Sequence, residues 1–215
     1  MLDEHCHIVF GVDDGSRTAD ESSAMLQSAK DSGIDRIICT PHMRWSDFDK
    51  NKVEQHFQDV HLRGEEYGLE LTLGYEVFYE TLLKIGLDKS TQFVTSGTNS
   101  ILIEFNTGGR VLDGWQHTFY ELQTKHGLSI TLAHPERYSS VLEDFDLLYR
   151  IVDSGCRVQV SAGDLFGNRQ VARCAKRIIK EGLCDALVSD AHRPGHYRNF
   201  QKAIKKYGKY LDFSS

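Results

Sequence analysis

Short apolar runs alternate along the chain with longer stretches whose apolar residues recur at helical spacing, the pattern expected of repeated βα units around a parallel sheet. The runs at residues 36–40, 69–73, 100–104, 129–133, 157–161 and 186–189, together with the opening segment 1–7, predict seven strands. Between them the spacing predicts helices starting after residue 18 and over 50–67, 115–126, 141–154, 170–181 and 200–207. The first is the best marked. Thr18-Ala19-Asp20-Glu21 reads as a capping box, Met25, Leu26 and Ala29 form an apolar stripe, and Gly33 stands where a C-terminal glycine belongs. Seven parallel strands with helices outside can close as a barrel related to the eight-stranded one, or remain an open doubly wound sheet.

Polar residues at the strand ends choose between these. His5-Cys6-His7 opens the chain, and on a strand residues two apart point the same way, so both imidazoles can reach one metal ion. Asp13 and Asp14 follow in a glycine-flanked loop, close enough to add oxygen. Reading just past each later strand gives His42, Glu76, Glu104, His134, and Asp190 with His192; only the sixth strand, ending at Ser161-Ala162-Gly163, offers no ligand. Singly, these are also what a turn, a surface acid or a hydrogen-bonded histidine would give. Jointly they are not, because nothing structural requires His, Glu or Asp at strand after strand of an Ile/Leu/Val-rich set. In a barrel all strand C-termini meet at one rim, whereas in an open sheet they are too far apart to share metals, so a distorted seven-stranded, TIM-barrel-like α/β barrel is expected. His56, His61, His117 and His126 fall within helical stretches and read as surface residues, and His196 is ambiguous.

Composition narrows the partners. At 215 residues the chain suits a single domain spanning 1–215. A formal charge of −6 without any Lys/Arg run argues against a nucleic-acid surface. No apolar stretch approaches the roughly 20 residues of a membrane span, so a cytoplasmic protein without membrane insertion is expected. Five scattered cysteines, never in a C-x-x-C pair, suggest neither a disulfide framework nor a zinc ribbon. Imidazole and carboxylate without thiolate suit Mn²⁺, Fe²⁺ or Zn²⁺. The candidate ligands exceed what one ion holds, implying two or three with a bridging Glu. Such clusters activate a bridging hydroxide and stabilise both oxygens of an in-line displacement at phosphorus, which points to phosphoester hydrolysis.

The segments H-C-H-I-V-F-G-V-D-D-G, T-P-H-M-R, G-Y-E-V-F-Y, L-I-E-F, A-H-P-E-R-Y and S-D-A-H, in this order, resemble the PHP (polymerase and histidinol phosphatase) superfamily. More narrowly, they resemble its bacterial capsule and exopolysaccharide branch of manganese-dependent protein-tyrosine phosphatases. The resemblance implies a PHP-type barrel and a trinuclear site, with Mn²⁺ as the metal and Fe²⁺, Co²⁺ or Zn²⁺ as alternatives. It assigns His5, His7, Glu76 and Asp190 to one ion, Glu76, Glu104 and His134 to a second, and Asp14, His42 and His192 to the third. By the same resemblance Asp14, His42, Arg137 and His192 are catalytic, Arg137 binds substrate phosphate, and Arg193 or Arg198 assists. The implied substrate is the phosphotyrosine tail of a bacterial tyrosine autokinase that regulates polysaccharide synthesis, and a homo-oligomer is compatible with it.

Two other hydrolase readings compete. A small-molecule phosphatase such as a histidinol-phosphate phosphatase would use the same metal chemistry. An amidohydrolase also begins with H-x-H in a metal barrel, but it commonly carries a bridging carboxylated lysine where this chain has Glu104.

Overall fold

The computed structural model describes residues 1–44, 48–109 and 113–211. Within them lie nine strands: β1 (Leu2–Cys6), β2 (Arg36–Cys39), β3 (His42–Met43), β4 (Glu70–Leu73), β5 (Glu76–Phe78), β6 (Ser100–Glu104), β7 (Ser129–Leu132), β8 (Arg157–Ser161) and β9 (Ala186–Val188). All strand pairs are parallel. Every predicted run contains a strand, and the additional two, β3 and β5, follow β2 and β4 across Thr40-Pro41 and Gly74-Tyr75. Pro41 has no N–H to give a ladder. Gly74 passes so close to its neighbours that an added Cβ would lie 3.0 Å from Thr95 Oγ1 and 3.2 Å from Ile38 Cγ2. The ladder is interrupted there but the register is not: Arg36 faces Glu70 and His42 faces Glu76, the same offset of 34 residues.

The strands run β1-β2-β4 in one ladder and β3-β5-β6-β7-β8-β9 in the other, forming a strongly curled parallel sheet. The curl brings the chain beyond β9 back to the end of β1, where His7 N donates to Ala191 O (2.9 Å) and Asp190 N to His5 O (2.9 Å). Asp3 reinforces this seam by accepting hydrogen bonds from Ser189 N (2.9 Å) and Ser189 Oγ (2.6 Å). Its own burial pushes its carboxyl up to about 6.

Helices α1 (Ala19–Asp31), α2 (Lys50–Glu66), α3 (Tyr79–Ile85), α4 (Trp115–Thr124), α5 (Ser139–Glu143), α6 (Asp146–Asp153) and α7 (Arg169–Lys180) lie between strands, and α8 (Tyr197–Tyr207) follows β9. Thr18 caps α1 as expected, its hydroxyl accepting from Glu21 N at 3.2 Å. Met25, Leu26 and Ala29 are fully buried in the same apolar cluster as β1, β2 and β6. Two helical expectations need correction. The helix expected over 141–154 is two, because Asp144 leaves helical geometry and its carboxylate accepts from Asp146 N (3.1 Å), starting a new helix instead of continuing the old one. Helix α3 was not anticipated; its seven residues are too few to display a helical period. No helix among the described residues is long and apolar enough to cross a membrane.

Candidate metal centre

Parallel pairing places the C-terminal ends of all strands on one side of the sheet, and the chain turns inward there. His5 is on β1 with His7 just beyond it, His42 opens β3, Glu76 opens β5, and Glu104 closes β6. His134 follows β7, and Asp190 and His192 follow β9. His134 (φ 31°) and Asp190 (φ 46°) are the non-glycine residues with positive φ among those described. Left-handed backbone is costly for such side chains and persists where the surroundings over-determine it, as at functional sites.

The nine expected ligands come together. Ligand atoms of His7, Asp14, His42 and His192 lie within 4.8 Å of one another, as do those of His5, His7 and Asp190, of His5, Glu76 and His134, and of His42, Glu76 and Glu104. The first group contains the expected third ion's ligands with His7 added, and the second contains the expected first ion's ligands without Glu76. The expected second ion's ligands are divided between the last two groups, although His134 Nε2 is 2.7 Å from Glu76 Oε1 and 3.9 Å from Glu104 Oε1. The cluster is graded in exposure. His5, His7, Glu76, Glu104, His134 and Asp190 are buried, His42 and His192 are half-buried, and Asp14 is exposed.

Hydrogen bonds beneath the cluster fix the imidazoles. His5 Nδ1 donates to Gln159 Oε1 (3.1 Å), an assignment supported by Gln159 Nε2 facing Glu4 Oε2 at 3.5 Å. His7 Nδ1 donates to Asp13 Oδ2 (2.8 Å). With both Nδ1 atoms committed to these bonds, the Nε2 atoms of the two rings face each other at 3.2 Å, where a proton or, in its place, a shared cation keeps two lone pairs from confronting each other. Glu76 Oε2 has imidazole nitrogens of His42, His5 and His7 at 2.8, 3.3 and 3.4 Å, yet it accepts no hydrogen bond. Asp190 Oδ1, 3.4 Å from His7 Nε2, is likewise unsatisfied, as is His42 Nδ1. Buried polar atoms left without partners while converging on common points are what a hard or borderline cation requires. The residues therefore fit a metal cluster.

The charges agree. Burial alone would raise Glu76, but His5, His42 and His134 outweigh it and hold the carboxyl well below its usual range. Burial likewise opposes ionisation of Asp190, and Arg137 with His7 and His5 reverses the effect. For His7 burial disfavours the charged ring, and Asp13 more than compensates, raising it well above an ordinary histidine.

Of the two loop aspartates that could add oxygen, Asp14 joins the ligand groups and Asp13 does not. Asp13 is a support: its carboxylate also accepts from Gly15 N (2.9 Å) and His42 N (3.0 Å). Gln159 was also missed, although a polar residue amid Val158 and Val160 on a buried strand was a signal for it. Arg137 lies at the rim, its Nε 2.5 Å from Asp164 Oδ2 and its Nη2 bonded to Asp190 Oδ2. Arg193 instead ties two loops together, donating from Nη1 to the carbonyls of Asp14 (3.1 Å), Gly15 and His192. Arg198 is exposed on α8, while its neighbours His196 and Asn199 line a cleft of about 250 Å³ shared with Arg137. His56 stacks on Phe10 (4.3 Å) with its Nδ1 at Phe10 O, and His117 is exposed, so both stand apart from the cluster.

A family model for capsular polysaccharide synthesis proteins, CpsB/CapC, matches residues 1–211. The chain belongs to the CpsB/CapC family. Among its relatives are the tyrosine-protein phosphatase YwqE of Bacillus subtilis, 32% identical over 99% of this chain and 87% of that protein, and the tyrosine-protein phosphatase CpsB of Streptococcus pneumoniae, 29% identical over 97% and 91%. Crystal structures of YwqE and CpsB, described as unique metal-dependent tyrosine phosphatases, include a chain that superposes on this CpsB/CapC member with a TM-score of 0.81 at 30% identity, covering 100% of this chain and 88% of the other.

Proposed function

We propose that this chain is a metal-dependent protein-tyrosine phosphatase, acting on the phosphotyrosine tail of a bacterial tyrosine autokinase in polysaccharide synthesis. The observation that carries the reading is the approach of the His5 and His7 Nε2 atoms to 3.2 Å, set against unsatisfied Glu76 and Asp190 oxygens in a CpsB/CapC chain. The homologues' named activity supports the substrate. We further read the curled sheet as a PHP-type barrel of seven staves, with β2 and β3 as one stave and β4 and β5 as another, forming a single domain over 1–215. A cytoplasmic location is part of the same proposal, since the protein has to meet the kinase tail.

His5, His7, Asp14, His42, Glu76, Glu104, His134, Asp190 and His192 would hold two or three Mn²⁺, with Fe²⁺, Co²⁺ or Zn²⁺ as alternatives. Bound metal supplies Lewis acidity to the phosphoryl oxygens and acidifies water. Protein groups do the positioning. Gln159 and Asp13 hold the His5 and His7 rings in the ligating tautomer. Arg137, fixed by Asp164 and Asp190, presents its remaining N–H groups toward a phosphate at the rim. Asp14, His42 and His192 form the exposed edge of the cluster, where the ester must approach. The oxygen of water bonds to phosphorus as the bond to the tyrosine oxygen breaks, giving inorganic phosphate, and the proton that water loses passes through solvent to the tyrosinate. Tyrosinate, whose conjugate acid has a pKa of about 10, departs with little protonation, so no strong general acid is needed.

Metal-stripped protein should be inactive on a phosphotyrosine peptide and regain activity with Mn²⁺, with phosphotyrosine turned over faster than matched phosphoserine or histidinol phosphate. Activity surviving exhaustive chelation would refute the metal role. Preference for histidinol phosphate would favour the small-molecule reading.

A further inference from the structure

Two clefts flank the exposed edge of the cluster, and their linings differ. The one containing Arg137 is the smaller and is walled by Ser161, Asp164, Ser189 and other polar groups. The other, about 520 Å³, begins at Asp14 and His42 and runs outward between Val12 and Phe48 to Arg17, Arg44 and Lys52. Phe48 packs edge-on against Tyr75 (5.9 Å) and Phe93 (5.8 Å), so its ring is a fixed apolar wall. Of these two clefts, among the described residues, it is the second that offers an apolar wall to the ring of an aryl ester whose phosphate lies at the cluster.

The rim beyond that wall carries charge opposite to that of the chain. The protein has a net charge of −6, yet the lining contains three cations. Its two acids, Asp13 and Asp14, are both occupied with the cluster, Asp13 through His7 and Asp14 as a candidate ligand. Arg44 is held by Glu104 at 3.1 Å. Arg17 holds Glu21 through Nε (3.1 Å) and Nη2 (3.3 Å), but its own side chain is 73% exposed, so the guanidinium keeps N–H groups open to a second anion. Lys52 Nζ donates to the neutral Gly11 carbonyl (2.6 Å) and has no ion pair among the described residues. Focused positive potential at the mouth of a cleft in an acidic protein selects for negative groups.

Building on the phosphatase reading, we propose that this cleft binds the peptide around the phosphotyrosine and selects substrates with acidic side chains close to it in sequence, through Arg17 and Lys52. The ligand class is an acidic phosphotyrosine peptide, not a small phosphomonoester and not a peptide with basic flanks.

The test compares kcat/KM of the Mn²⁺-loaded protein on three phosphotyrosine peptides that differ only in flanking residues: Glu/Asp, Ser/Gln or Lys/Arg. With each rim charge contributing about 3-fold, the acidic peptide should exceed the neutral one by about 10-fold at low salt. The advantage should shrink severalfold at about 0.5 M NaCl, where screening is strong. The Arg17→Ala/Lys52→Ala double variant should abolish the advantage, and Arg17→Glu/Lys52→Glu should reverse it toward the basic peptide. Equal turnover of the three peptides by the wild type overturns the inference while leaving the phosphatase reading intact, as does a preference that the double variant retains. Failure to hydrolyse any phosphotyrosine substrate overturns both.

Discussion

Asp13 Oδ2 is bonded at once to His7 Nδ1 (2.8 Å) and to the backbone N–H of His42 (3.0 Å), so one carboxylate sets the position of two candidate ligands from different strands. Burial would raise this carboxyl, but His7 and the backbone donors outweigh it and bring it down to about 2, so it is ionised throughout the physiological range. Asp13→Ala should therefore weaken metal retention by about 10–100-fold, the usual effect of deleting a group that orients a ligand. Titration against a competing chelator measures it. Wild-type affinity in the variant would show that the ring of His7 is held by packing alone.

The ligands were legible because chemistry demanded the wrong residue types for a core. His, Glu and Asp at the ends of apolar strands have no packing rationale, and parallel strands must end on one side. The supports were less legible. Asp13 and Asp14 are adjacent and chemically identical, and only the turn at Gly15 decides that one is bonded beneath the cluster to His7 while the other stands at its exposed edge beside His42 and His192. Gln159 reaches His5 across the interior from β8, a contact between residues 154 apart that no local pattern encodes. The seven strand runs were visible from their apolarity, whereas the breaks at Pro41 and Gly74 are local ladder effects. Arg193 illustrates the remaining gap: its type suits phosphate, but the fold spends it on backbone carbonyls.

Gly15 completes the Asp-Asp-Gly turn for a steric reason. A Cβ there would sit 2.2 Å from His7 O and 2.4 Å from His7 Cβ, distances no rotamer change relieves because one atom is backbone. Gly15→Ala must push the loop off His7, breaking the Gly15 N to Asp13 bond and the Ser16 N to His7 O bond (2.9 Å). We expect a loss of about 1–3 kcal/mol in metal-free stability, by overpacking, together with weakened metal binding. Chemical denaturation and chelator titration report the two separately. A variant as stable and as well metallated as the wild type would contradict the close approach.

Arg137 meets Asp164 through Nε and Asp190 through Nη2, which fixes the guanidinium plane while leaving other N–H groups for an anion. Lysine preserves the charge but cannot keep the two-sided grip. Arg137→Lys should lower kcat/KM on phosphotyrosine peptide by about 10–100-fold, the worth of one charged hydrogen-bond set at about 1.5–3 kcal/mol. Asp164→Asn should act in the same direction and more weakly, chiefly through KM, with bound metal unchanged. If bound metal falls in step with activity, Arg137 serves Asp190 and not the substrate.

Cys6 separates metal chemistry from thiol chemistry. It lies between two candidate ligands, yet strand alternation turns it the other way: its side chain is fully buried in the apolar cluster, with Sγ 3.9 Å from Ile38 O. Burial pushes its thiol well above the usual range, so it is not a ready nucleophile. Cys6→Ser should keep most of the phosphatase activity, with about 1 kcal/mol lost in stability as a buried-residue change. His7→Ala should be nearly inactive, since it removes a nitrogen shared by two of the ligand groups. Steady-state kinetics on both variants, with bound metal measured in each, distinguishes the cases. A Cys6→Ser protein that is folded and fully metallated but dead, or a phosphocysteine trapped in the wild type, would replace the metal mechanism with a thiol one.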